Sequence, residues 1–318
     1  MVSELMKTAF FACSTTRPFP IIASDGVRDA SKVYILNPEF SGFIKSLPVI
    51  SKDIFDGAKT MVDALRPRGM VKDITFVDVL DELRSRPLSE AETVECLKWW
   101  IDVTRGNYRK VSQERPQLLR ALVVSVTGPP EKTMRLSDAQ TFLMSKIIPT
   151  NCPLPSTLLP TSITCSFDRS ILVSTFLWKE LSSVDWLRHL TDPKVAAANP
   201  EFNVTNSASW AERVLSVLAQ DWPSLTETNK QGVIGILSSI SCIPTSAGLK
   251  VPNQTYFSIT DLLNFFRDLP IATMPSGAIV EGNLELVLRS LGVRKHVEFD
   301  IIFDRSVSSL PRRLVQLT

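Results

Sequence analysis

Two histidines, His189 and His296, are the whole imidazole supply of this chain. A metal site built on several histidines is therefore excluded, and a Cys–His or Ser–His nucleophilic pair would have to use one of the two. His189 lies in VDWLRHL beside Trp186 on a predicted helix, and His296 lies in the basic run Arg294-Lys295-His296. Both are expected to be structural or surface side chains. Five cysteines, Cys13, Cys96, Cys152, Cys165 and Cys242, are odd in number and widely spaced, with no C-x-x-C pair. Reduced, mostly buried thiols are expected, not a disulfide framework or a zinc site. Neither a G-x-S-x-G nucleophile elbow nor a G-x-x-x-x-G-K phosphate loop occurs.

The carboxylates Asp78, Asp81 and Glu82 in DVLDELR fall three and four residues apart, on one face of a helix. Such a face could present an acid pair. With Arg84 and Arg86 following, the spacing predicts a solvated, ion-paired surface. The basic pairs at 294–295 and Arg312-Arg313 would neutralise too few phosphates for useful nucleic-acid affinity. Trp99, Trp100, Trp178, Trp186, Trp210 and Trp222 sit in helical patterns and are expected to anchor the core rather than stack on bases. No catalytic, cofactor-binding or metal-ligating set emerges.

The elements that would position these residues follow from length, composition and an internal repeat. A chain of 318 residues exceeds what one core usually organises, and 44% hydrophobic with 21% charged residues is an ordinary globular balance. A net charge of +2, from 35 basic and 33 acidic residues, gives no footprint for nucleic acid or an anionic membrane. The apolar run near the start is shorter than a signal peptide requires, and no segment approaches a membrane span, so a cytoplasmic protein is expected. Two Asn-x-Thr triplets, at Asn203 and Asn253, then have no role.

Residues 23–49, ASDGVRDASKVYILNPEFSGFIKSLPV, align without a gap on 245–271, TSAGLKVPNQTYFSITDLLNFFRDLPI. The constant offset of 222 places Ser24, Gly26 and Tyr34 on Ser246, Gly248 and Tyr256. After a one-residue slip, 61–82 align on 284–305, pairing Gly69 with Gly292, Lys72 with Lys295 and Phe76 with Phe299. These glycines, serines and tyrosines form a structural signature. Ser-Asp-Gly and Ser-Ala-Gly between apolar runs predict hairpin turns. Helical spacing in FSGFIKSL and ITDLLNFFRDL predicts a helix after each tyrosine, then a short helix capped at Gly69 or Gly292 and a further helix, capped in the first copy by Thr75 and Asp78. The order resembles a winged helix.

Between the copies, Ser89 with Glu92 marks a helix start, Gly106 its end, and PQLLRALVVSV suggests helix, strand and a degenerate third hairpin. Four prolines among residues 149–160 predict an extended boundary. FLWKELSSVDWLRHL, SASWAERVLSVLAQDW and TETNKQGVIGILSSI predict three or four more helices, with Ser207 and Thr226 as caps. The expected fold class is α+β and mainly helical, with a repeated, winged-helix-like module of a β-hairpin plus helices. The expected division is a first hairpin and helical module over 1–150, a helical linker over 151–240 and a second module over 241–318.

CIPTSAGLKVPNQTYF, followed by LP and LRSLGVRKHVEFDIIFDR, resembles the recurrent segment of large fungal proteins similar to sacsin, a family of unknown function. The resemblance is sharpest over 242–305. It implies a region downstream of an ATPase domain of the gyrase, histidine-kinase and MutL superfamily. The E-x-x-x-N and D-x-G-x-G motifs of that domain do not occur together here, so no nucleotide site is carried over to any residue. The end at PRRLVQLT, inside the second copy, is what a fragment would give. The resulting expectation is a non-catalytic scaffold or interaction region, touching protein partners or other domains of its own polypeptide, with no cofactor. A winged-helix nucleic-acid module is the alternative, and a cysteine or serine hydrolase ranks below it.

Overall fold

A computed structural model describes residues 20–36, 40–50, 65–126, 132–258 and 269–297. The fold is mixed α/β with small sheets. It divides into two units, one of Met1–Met144 with Thr157–Glu180, the other of Ser145–Ser156 with Leu181–Thr318. The proline-rich stretch is where the chain crosses between them.

In the first unit, β1 (Pro20–Ala23) pairs antiparallel with β2 (Gly26–Asp29), placing Ala23 opposite Gly26. The chain reverses at Ser24-Asp25, and Gly26, the residue directly after the turn, sits at φ 122, where a Cβ would be strained. A 3-10 turn over Ala30–Lys32 leads into β3 (Tyr34–Ile35), which runs parallel to β4 (Lys72–Asp73). Ile21, Ala23, Ala30, Val33, Ile35, Ile50, Leu65 and Val71 make a small core of their own under these strands.

The larger core of this unit belongs to the helices. Helix α1 (Phe76–Ser85) starts in a capping box in which Thr75 and Asp78 satisfy each other's backbone N–H. Helix α2 (Glu90–Thr104) starts in a second box, Ser89 with Glu92, and buries Val94, Cys96, Leu97, Trp99 and Trp100. Helix α3 (Tyr108–Ala121) is capped by Asn107 and begins eight residues before Pro116, which it carries inside. β5 (Leu88–Ser89) pairs parallel with β6 (Val123–Val126), and β6 antiparallel with β7 (Lys132–Arg135). β8 (Thr141–Phe142) pairs parallel with β9 (Lys179–Glu180), and the short helices α4 (Thr161–Thr164) and α5 (Arg169–Ser174) lie between them in sequence.

Two predicted helices take other forms. FSGFIKSL is a turn followed by extended chain: the amides of Phe43 and Ile44 both reach Phe40 O, and no α-helix forms over 41–47. Its aromatic rings explain the choice, since Phe40 and Phe43 both pack on Trp99, at 5.1 and 5.7 Å between centroids. Gly42 also lies so close to the Glu95 side chain that a Cβ would come within 3.0 Å of it. The corresponding ITDLLNFFRDL falls almost entirely outside the described residues. FLWKEL is not helical either. Leu177 stands at φ 61, which turns Trp178 back to stack on Phe176 at 4.7 Å before β9 begins.

The second unit is a helical layer on a hairpin. Helices α6 (Ser183–Leu190), α7 (Pro193–Ala198), α8 (Ala208–Asp221) and α9 (Glu227–Leu237) start at side-chain caps from Ser182, Asp192, Ser207 and Thr226. Burial of Trp210, Ala211, Val214, Leu215, Val217 and Leu218 makes α8 the central helix. It packs against β10 (Ile243–Thr245), α6 and α10 (Gly282–Leu291). β10 pairs antiparallel with β11 (Gly248–Lys250), with Gly248 at φ 89 closing the turn.

Candidate functional site

Tyr34 and Tyr256 each stand where three remote segments meet. Tyr34 N–H donates to Pro48 O at 2.9 Å, its carbonyl accepts from Ile50 N–H at 2.9 Å, and Lys72 N–H donates to Val33 O at 3.1 Å. Around the second tyrosine, Tyr256 N–H donates to Pro270 O at 3.0 Å, its carbonyl accepts from Ala272 N–H at 2.8 Å, and Arg294 N–H donates to Thr255 O at 2.9 Å. Adding 222 to every residue number in the first set gives the second. The bridges Ala23–Ile50 and Thr245–Ala272 follow the same displacement, as do the 3-10 turns Ala30–Lys32 and Pro252–Gln254.

Glycine ends the helical turn that precedes each third segment. Gly69 at φ 66 donates to Arg66 O, and Met70 N–H to Leu65 O; Gly292 at φ 103 donates to Arg289 O, and Val293 N–H to Leu288 O. Here the displacement is 223. It returns to 222 at Lys72 and Arg294, so the backbone bonds set Lys72 against Arg294 and not against Lys295, and Val71, buried in the small core, is the residue by which the two spacings differ. Phe299 lies outside the described residues. Ser24 accepts from Val49 N–H through its hydroxyl at 3.3 Å, fastening the first turn to the strap below it, whereas Ser246 is an exposed turn residue.

A charge network adjoins the first junction. Tyr34 Oη donates to Asp78 Oδ1 at 2.8 Å. One turn further, Glu82 is buried, with 1% of its surface exposed. Its carboxylate accepts from the Lys45 and Ser46 amides at 3.0 Å each, from the Ser46 hydroxyl, and from Arg86 Nε at 3.3 Å. Arg86 also donates to Phe43 O at 2.8 Å and to both oxygens of Glu92, and Lys45 Nζ reaches Glu92 at 2.5 Å. The predicted solvated face is thus corrected at Glu82: the turn at 43–46 folds over it, and its backbone N–H groups supply the partners that a buried carboxylate requires. Asp81 does face solvent and pairs with Arg84 at 2.9 Å.

The network lowers the carboxyls of Glu92 and Asp78. Burial raises the Glu92 carboxyl, but hydrogen bonds from Arg86, Lys45 and Ser89 outweigh it and bring the pKa down to about 2. Burial likewise raises Asp78, and the bonds from Thr75 and Tyr34 leave it lowered overall. Tyr34 moves the other way, pushed up by burial and by the Asp78 carboxylate. This is the chemistry of a clasp.

Other candidate groups are scattered. His189 is half-buried in the last turn of α6, and His296 is exposed. Burial raises the thiols of Cys96 and Cys242, the latter to about 12, which keeps both protonated. Cys152 donates to Pro149 O at 3.1 Å, Cys165 is exposed, and Cys13 lies outside the described residues. All six tryptophans are buried, although Trp178 and Trp222 stand outside α-helices. Among the described residues no cluster of three His, Cys, Asp or Glu side chains could hold a metal. No described helix is long and apolar enough to cross a membrane. A cleft of about 460 Å³ beside the second junction is lined by Phe257, Met274, Ile279, Glu285 and Lys295. Its lysine bonds Glu285 at 2.6 Å and lies 5.8 Å from the centre of the Phe257 ring, so that charge is already engaged. Arg312 and Arg313 lie outside the described residues.

Two hairpins, each followed by a tyrosine whose backbone joins remote segments, describe an architecture more readily than a reaction. The sequence over residues 1–314 matches the family described as "Protein of unknown function (DUF3684)", and the chain belongs to that family. Comparison with curated proteins and with solved structures gave no match.

Proposed function

We propose that the chain is a non-catalytic interaction scaffold built on two copies of one module, each a hairpin, a tyrosine junction and a glycine-capped helical turn. The observation that carries this reading is the coincidence of backbone bonds around Tyr34 and Tyr256 at a displacement of 222. The side chains that accompany these bonds serve packing: Tyr256, Ile50, Ala272, Leu65 and Leu288 are all buried. The clasp at Glu82 adds to the same purpose, since its acceptors are spent on the 43–46 turn and on Arg86. The resemblance to sacsin-like proteins extends the reading to a cytoplasmic, ATPase-associated polypeptide in which such modules bind proteins or neighbouring domains.

Two measurements on the purified chain test it. Amide exchange should show comparable protection at the matched donors Tyr34, Ile50 and Lys72 and Tyr256, Ala272 and Arg294, and fast exchange in one set would refute the two-module part. Phosphate release from ATP, and mobility shift of labelled duplex DNA and RNA over a salt series, should both be negative. A shift at low salt that fades with a steep salt dependence would replace the scaffold with the winged-helix, nucleic-acid reading. Labelling by broad serine- or thiol-directed probes that a point substitution abolishes would replace it with the hydrolase.

A further inference from the structure

Helix α8 holds a loop as well as a hairpin. Glu212 lies on its buried side, with 9% of its surface exposed. Both carboxylate oxygens accept from one residue 64 positions downstream: Ser276 N–H donates to one at 3.0 Å, and the Ser276 hydroxyl donates to the other. No described lysine, arginine or histidine pairs with this carboxylate. Ser46 offers Glu82 the same amide and hydroxyl, but there Arg86 supplies a cation as well. A buried carboxylate without a counter-ion depends on its hydrogen bonds alone.

The loop that carries Ser276 has little else to hold it. Over residues 275–280 the two bonds to Glu212 are, among the described residues, the only hydrogen bonds to another element. Met274 is buried and anchors the near end, whereas none of residues 275–280 is buried. Gly277 at φ 77 and Gly282 at φ 59 take backbone conformations that glycine holds without strain. Gly277, Ala278, Ile279 and Val280 line the cleft beside the second junction, together with Phe257 and Met274.

We propose that residues 275–280 are a lid on that cleft, latched by Ser276 on Glu212. Opening exchanges two charge-assisted bonds for water on a carboxylate that has no cation to hold it in place, and the lid carries no buried side chain of its own. It therefore needs far less free energy than unfolding of the unit. Phe257 and Met274, both buried and both lining the cleft, are the apolar surface that an open lid uncovers. The lid does not depend on the repeat, and it adds a moving part to the scaffold.

Ser276→Ala and Ser276→Thr in the full chain, compared with wild type, test the latch. Native-state amide exchange at residues 276 and 277 should quicken by about tenfold or more in Ser276→Ala and stay near wild type in Ser276→Thr, which keeps the hydroxyl. The amides of α8 should be unchanged, and 8-anilinonaphthalene-1-sulfonate should fluoresce more brightly with the alanine variant as it reaches the uncovered cleft wall. Equal exchange in wild type and Ser276→Ala, or a threonine variant that behaves as the alanine one, overturns the latch. Faster exchange spread through α8 overturns the lid by making Ser276 a support of the whole unit. Faster loop exchange without added dye fluorescence overturns it by separating the loop's motion from the cleft.

Discussion

Tyr34 Oη and Asp78 Oδ1 are joined at 2.8 Å across 44 residues of sequence, while the second oxygen of the same carboxylate accepts from Thr75 N–H at 2.8 Å. One aspartate therefore caps a helix and holds a strand. Tyr34→Phe removes the hydroxyl and leaves the cap in place, so a loss of about 1–2 kcal/mol is expected. Urea denaturation of variant and wild type measures it, and an unchanged midpoint would show that the bond contributes nothing in solution.

Glu82 should be far more sensitive. Glu82→Ala strands the amides of Lys45 and Ser46 and removes one partner of Arg86, an uncompensated buried arrangement that costs roughly 3–5 kcal/mol. Glu82→Gln keeps an accepting oxygen and should lose roughly half as much or less. If the two variants melt together, the oxygen that Glu82→Gln retains contributes nothing to the clasp.

Glycine substitutions separate backbone strain from helix propensity. Gly69→Ala and Gly292→Ala force a Cβ into the left-handed region and should each cost about 1–2 kcal/mol, though open space surrounds Gly69 and only Asn253 lies near Gly292, at 4.0 Å. Gly235 lies within α9 at ordinary φ, with nothing within 4 Å of an added Cβ, so Gly235→Ala should stabilise by about 0.5–1 kcal/mol. Thermal melts read both signs in one experiment.

Acid should open the first unit through Glu92. Its folded pKa is depressed from 4.5 to about 2, so its contribution is fully present above 4.5 and is lost as pH falls toward 2. Asp78, lowered from 3.8, adds in the same direction. Denaturation midpoints between pH 5 and pH 2 should fall more steeply in wild type than in Glu92→Gln. Parallel curves would remove Glu92 from the account.

Turns and helix starts were legible because they depend on residues close in sequence. Gly26 and Gly248 sit at positive φ directly after their turns, a conformation that glycine alone takes without strain, and Thr75, Ser89, Ser207 and Thr226 accept the backbone bonds their spacing predicts. Glu82 was not legible. Three- and four-residue spacing describes a face without saying whether solvent or another segment covers it, and the 43–46 turn that covers it comes from 36 residues upstream. FSGFIKSL misled for a related reason: its phenylalanines keep helical spacing, yet Trp99 and the close approach of Gly42 to Glu95 select a turn. The displacement returning to 222 at Lys72 was hidden because Lys295 offers the same side chain one residue away, and only the backbone bonds set Lys72 against Arg294.

The junction at Tyr34 also constrains how the chain can be made. Its hairpin is complete by Asp29, but the bond from Lys72 N–H to Val33 O needs residues some forty positions later. At ribosomal rates of about 5–20 residues per second, β3 waits on the order of seconds with one edge unpaired. Throughout that interval it is a nascent edge strand that any extended segment can enter, and the second junction reopens the same window when Tyr256 emerges.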